Sequence, residues 1–345
     1  MSVTASPGPP QEAPLLLAGF DAGQTHTTCR LATLDGTPLA EGEGPGVVHL
    51  AAEEGPERFQ EALRESLVRA RARLVDREAP QGVWSLGAAA VGASGIEHGS
   101  RVQDLGLELA VATLGLGPER LVVTGDERTA LAGAFPQGEG IVVISGTGTI
   151  AIGCDRTGRH HRCAGWGWLL DGAGSAMDIG RDALSLSLRM ADGRHPDDPL
   201  RQVLWEALGL RLEDPQTPQQ IKALVVKPSF GPAGFAALAP VVEHQAAAGN
   251  PLALGILRRH GEALVEMVVA IATHLALSAP TVCTLGGGIT HLGSLREAFG
   301  QALAKGLPQG DWVDPAGDGC DGALTLAAAL LAQGRKGANP EIRPR

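Results

Sequence analysis

Asp21 closes an apolar run and opens a turn crowded with small and hydroxylated residues: Leu15 to Thr28 reads LLLAGFDAGQTHTT, with three threonines inside four positions. A related stretch returns at Ile144-Ser145-Gly146-Thr147-Gly148-Thr149-Ile150-Ala151-Ile152. Glycines let backbone N–H groups approach an anion, and threonine hydroxyls add donors without adding charge. Gly23, Gln24 and Thr25 in one copy and Gly146, Thr147 and Gly148 in the other are therefore candidates for holding a polyphosphate between two lobes. A carboxylate in such a clamp needs a cation, and Mg²⁺ bridging phosphate oxygens would make Asp21 its ligand. Ordinary Gly-rich β-turns would also read this way, but the repetition favours the clamp. A third cluster, Leu285-Gly286-Gly287-Gly288, follows a strand-like segment and suits a nucleoside lying against backbone or a plain tight turn.

These residues need strands to carry them. LLLAGF and GIVVIS both read as strands, each enters a Gly/Thr turn, continues as a β-branched or alternating strand, and reaches a second turn at Leu34-Asp35-Gly36 or Asp155-Arg156-Thr157-Gly158. Helical spacing follows over Gly55 to Asp76, where Phe59, Leu63, Leu67 and Leu74 recur, and over Ala173 to Ala191. A strand at Gly87 to Val91, a helix near Asp104 to Leu114 and a strand at Arg120 to Thr124 extend the first copy, and a helix near Leu292 to Lys305 follows the third glycine cluster. The order βββαβα, written twice, predicts an α/β protein of two lobes, mixed sheets covered by helices. The expected division is a leader over 1–14, a first lobe over 15–135 joined by a last helix at 323–334, a second lobe over 136–322, and a tail over 335–345. The Walker pattern is absent. Gly146 to Ala151 formally fits G-x-G-x-x-A, but a strand follows where a dinucleotide-binding turn needs a helix. Gly317 to Gly322 reads as a turn into the last helix.

At 345 residues and 44% hydrophobic content the chain can bury one large core or two medium ones. Its formal charge is 28 minus 38, or −10, with no long basic run, which argues against nucleic acid and anionic membranes as partners. The five cysteines are scattered with no C-x-x-C pair, against zinc and a disulfide framework and in keeping with a reducing cytoplasm. The N-terminal segment lacks a basic n-region, and the apolar run after it is interrupted by Asp21, so neither a signal peptide nor a membrane span is expected.

The order FDAGQT, VVTGDERTALAGA, VVISGTGT, CAGWGW, GSAMDIGRDAL, LGGG resembles the N-acetylglucosamine kinase branch of the BadF-like (BadF/BadG/BcrA/BcrD-type) ATPases, over Leu15 to Ala328. These belong to the acetate and sugar kinase, Hsp70 and actin superfamily, whose duplicated ribonuclease-H-like fold the resemblance implies. VVISGTGT and CAGWG at their separation are its most specific blocks; D-x-G-x-T alone is weak.

The resemblance implies phosphate contacts at Thr25 and Thr147, nucleotide contacts at Gly286, Gly287 and Gly234, and a catalytic aspartate at Asp126. A carboxylate there could orient and deprotonate a sugar hydroxyl in line with the γ-phosphate, or cap a helix starting at Glu127. The sugar-lining Gly-Trp-Gly of the family matches Gly165-Trp166-Gly167, with Thr149 a further substrate candidate. For Trp168 core packing is expected, and His160 and His161 read as a solvated turn. Two departures concern the acceptor: the family's G-D-E-G-S is Leu170-Asp171-Gly172-Ala173-Gly174-Ser175 here, so Asp171 sits one residue before the usual carboxylate, and the family's sugar-binding asparagine falls on Val48, next to His49. A cytoplasmic, ATP- and Mg²⁺-dependent kinase of an amino sugar, as a homodimer, is what the resemblance implies. The alternatives are an ATPase activating a dehydratase or reductase, for which a matching cysteine pair is lacking, and a non-catalytic sugar or nucleotide sensor.

Overall fold

A computed structural model describes residues 14–75 and 84–337. The expected leader, but for its last residue, and the tail beyond residue 337 lie outside the described residues. The chain divides into two compact units, one from the residues up to Pro136 together with those from Gly317, the other Gln137–Ala316.

The first unit runs β1 (Leu15–Ala22), β2 (His26–Ala32), β3 (Pro38–Pro45), α1 (Gly55–Val75), β4 (Ser85–Ala93), α2 (Arg101–Leu114), β5 (Leu121–Gly125) and α3 (Asp126–Ala134). Its sheet has the order β3-β2-β1-β4-β5, an antiparallel meander joined to two parallel strands. The apolar stripe of α1 is what fastens that helix: Phe59, Leu63, Leu67 and Leu74 are all buried, each worth about 1.5–3 kcal/mol of burial. Gly42 on β3 lets α1 approach closely, since a Cβ there would stand 2.1 Å from the Ala70 nitrogen.

The second unit runs β6 (Gly140–Ser145), β7 (Thr149–Cys154), β8 (His160–Ala164), α4 (Ala176–Ala191), α5 (Pro199–Ala207), α6 (Thr217–Val225), α7 (Gly231–Ala236), α8 (Ala239–Ala247), α9 (Pro251–His274), β9 (Thr281–Leu285), α10 (Gly287–His291), α11 (Gly293–Gly306) and β10 (Asp311–Trp312). Its sheet order, β10-β9-β6-β7-β8, repeats the first with the same directions: β7 and β8 antiparallel, β9 and β10 parallel. The duplicated α/β fold expected from the sequence is thus present, while α5 to α8 are additions to the second copy. The chain ends its described part in α12 (Gly319–Gly337), which packs on β1 and β4 of the first unit through Leu17, Ala88, Ala90, Ala323, Leu324 and Ala327. Among the described residues no helix is long and apolar enough to cross a membrane.

Several local expectations change. Helix α4 starts at Ala176 rather than Ala173, because Ser175 takes the N-cap and its hydroxyl accepts the Asp178 N–H at 3.1 Å. His160 and His161 lie on strand β8, and the His161 ring stacks on His274 with centroids 3.7 Å apart. Trp168 is 40% exposed: the turn glycines Gly165 and Gly167, with φ of +74° and +90°, carry the chain off the end of β8 before it can enter the core.

Candidate active site

In the first unit the site is set by strand register. Ala22, Ala93 and Gly125 end the parallel strands β1, β4 and β5 as direct partners, so the next residues, Gly23, Ser94 and Asp126, emerge side by side at the carboxyl edge, where open α/β sheets bind ligands. The Ser94 N–H donates to the Ala22 carbonyl at 2.9 Å. Gly23 is tied on both sides, its N–H donating to His26 at 3.0 Å and its carbonyl accepting from Val47 at 2.9 Å, so Gln24 and Thr25 project as an exposed turn. Val48 follows this tether half-buried, with exposed His49 beside it.

Asp126 is the first residue of α3, and Gly125 takes the cap position, which corrects the expectation of an Asp126 cap before Glu127. Burial pushes its carboxyl above the ordinary aspartate range, against hydrogen bonds from the Glu127 and Asp126 N–H groups and the Ser94 hydroxyl. Asp21 is pushed up to about 6, first by burial, then by the charges of Asp126 and Asp318, with His26 and Arg30 opposing. Asp21 meets the start of α12, where a Cβ on Gly319 would stand 2.7 Å from Oδ2. Arg30 is held nearby by Glu41 at 2.5 Å and Asp318 at 2.8 Å. A buried carboxylate among like charges suits a divalent cation. Among the described residues no group of three or more histidine, cysteine or acidic side chains could enclose one, and Asp21 is the side chain that could hold a Mg²⁺ ion here.

The second unit repeats the arrangement. Ile144 and Leu285 pair at the ends of parallel β6 and β9, which brings the Gly146-Thr147-Gly148 turn beside Gly286 and Gly287. Gly286 has φ of +93°, and a Cβ there would stand 2.5 Å from the Ser145 carbonyl oxygen, so glycine is required for this approach. The N-terminal turn of α4 joins them, the Ala176 N–H donating to Gly146 at 2.9 Å. Gly234 sits instead on α7 with the Phe230 ring as its nearest neighbour.

The acceptor candidates of this unit line the loop after β8. Buried Thr149 lies 3.5 Å from the Gly172 carbonyl, and Trp166 is 61% exposed beneath the Arg162 guanidinium, 4.8 Å from its ring centre. Gly167 accepts the Leu170 and Asp171 N–H groups at 3.0 Å, leaving Asp171 half-buried. Gly172 faces another carboxylate: a Cβ there would lie 3.2 Å from the Asp178 Cγ. Sequence reasoning missed Ser94, Ser145, Asp178 and His260. Ser94 and Ser145 had a signal in their place at strand ends; His260, in the middle of α9, had none.

A search of known proteins matches residues 18–327 to the BadF/BadG/BcrA/BcrD ATPase family. An N-acetylmuramic acid/N-acetylglucosamine kinase of Clostridium acetobutylicum is 29% identical over 90% of this chain and 97% of its own length. An N-acetyl-D-glucosamine kinase of Dictyostelium discoideum is 28% identical over 93% and 98%. A crystal structure from Chromobacterium violaceum, provisionally named an N-acetylglucosamine kinase, superposes with a TM-score of 0.71 at 28% identity, covering 92% of this chain and 99% of that one. With the family pattern spanning nearly the whole sequence and both sheets in matching order, the chain belongs to the BadF/BadG/BcrA/BcrD ATPase family.

Proposed function

We propose that the protein is an ATP-dependent amino sugar kinase that transfers the γ-phosphoryl group to a sugar hydroxyl, with N-acetylglucosamine going to its 6-phosphate. The observation that carries this reading is Asp126 beside Gly23 and Ser94 at the carboxyl edge of the first sheet, in a chain whose relatives over nine-tenths of its length are named for this activity. Asp126 takes the proton from the attacking hydroxyl, whose oxygen forms the new bond to phosphorus as the bond to the ADP oxygen breaks. The Ser94 hydroxyl and the Glu127 N–H aim the carboxylate. Its burial strengthens it as a base.

Thr25 with Gly23 and Gln24, and Thr147 with Gly146 and Gly148, donate hydrogen bonds to the phosphates; Gly286 and Gly287 let the nucleoside lie against backbone, and Gly234 is the less supported nucleotide contact. Mg²⁺ at Asp21 would neutralise phosphate charge. Thr149, Gly165, Trp166, Gly167, Asp171 and Val48 border the acceptor. Free thiols at all five cysteines favour a cytoplasmic location. The deciding experiment is ATP consumption with N-acetylglucosamine, N-acetylmuramic acid, glucosamine and neutral hexoses. Turnover with the amino sugars well above that with hexoses is expected, and equal or absent stimulation by all of them refutes the reading.

A further inference from the structure

His260 stands on the buried face of helix α9 with its side chain 6% exposed. Its Nδ1 accepts the Gly174 N–H at 2.9 Å, so the ring proton resides on Nε2. Nε2 faces Asp182 Oδ2 at 3.3 Å, and this contact holds the Asp182 carboxyl below the ordinary aspartate range.

The other face of Gly174 is tied as well. Its carbonyl accepts the Ser145 hydroxyl at 2.6 Å, and Ser145 is the last residue of β6 before the Gly146-Thr147-Gly148 turn. Gly174 holds φ of +87°, and a Cβ there would lie 2.4 Å from Leu264, so the loop cannot easily sit elsewhere with another residue. Two residues earlier is Gly172, whose carbonyl lies 3.5 Å from the Thr149 hydroxyl. One residue thus links α9, the phosphate turn and the loop bordering the acceptor.

We propose that His260 is a positioning residue for the acceptor sugar, its unprotonated Nδ1 fixing Gly174 so that the loop from Gly165 to Ser175 keeps one register against the phosphate turn; this rests on the kinase reading above. The test compares His260→Ala and His260→Asn with the full-length wild type. The Asn Oδ1 can stand where Nδ1 stood and accept the same N–H. His260→Ala should raise KM for N-acetylglucosamine about five- to tenfold, with kcat falling less, the equivalent of one lost hydrogen bond. It should also speed hydrogen exchange of the Gly174 amide in the ligand-free protein. His260→Asn should restore both. An unchanged KM in His260→Ala, or His260→Asn as impaired as His260→Ala, overturns the proposal. If the wild type phosphorylates no amino sugar, the kinase reading falls, and the exchange rate still judges the tether: unaltered Gly174 exchange in His260→Ala overturns it.

Discussion

Asp126 carries the sharpest consequences at the scale of single residues. Asp126→Asn deletes the proposed base and spares both glycine turns, so sugar-dependent turnover should fall about 10²-fold or more while nucleotide affinity, followed by calorimetry, stays close to wild type. Because burial raises this carboxyl and the base acts ionised, kcat/KM is full above its folded pKa and falls as pH drops through it, so the acid limb should lie above the ordinary aspartate range. The Ser94 hydrogen bond opposes that rise, and Ser94→Ala should move the limb to higher pH in a kcat/KM profile. A limb that stays in place would separate Ser94 from the base. Asp126 could be read from the sequence through the blocks around it. Ser94 showed only its place after a strand-like run, since nothing in the small residues AVGASG announces a partner until the β4 and β5 registers put it next to α3.

At the scale of elements, the hairpins were legible because each repeats an apolar run, a Gly/Thr turn and an Asp/Gly turn, a pattern that allows little else. The loop from Gly165 to Ser175 was less legible. Its tryptophans are the chain's scarce aromatics, and burial would be the ordinary outcome, but two left-handed glycines decide otherwise. The Asp171-Gly172 order also has a structural partner that spacing alone did not reveal: Asp178, buried, with Arg181 paired to it, faces the Gly172 Cα. Restoring a carboxylate by Gly172→Asp should therefore set two acids against each other. The expected result is a higher KM for the sugar and a lower melting temperature, both partly recovered by adding Asp178→Asn. A gain in sugar affinity from Gly172→Asp alone would show that the loop has room for both.

For the whole molecule, the repeated sheet order was foreseeable and the helices α5 to α8 were not, because a duplicated pattern says what returns and is silent on what one copy adds. The first unit depends on two distant stretches of chain. Helix α12 crosses α3 so closely that a Cβ on Gly322 would stand 1.8 Å from the Thr129 carbonyl oxygen. Gly322→Ala should cost at least about 1–3 kcal/mol through overpacking against backbone, read as a lower urea midpoint; an unmoved midpoint would show that α12 does not dock there. The same dependence has a consequence for biosynthesis. While the ribosome is still translating α12, every residue of the second unit has already been polymerised, yet β1 and β4 still present Leu17, Ala88 and Ala90 without their cover. The half of the protein made first is thus the half completed last, and its bare strip of sheet stays open to chaperones, or to a neighbouring nascent chain, until the final helix emerges.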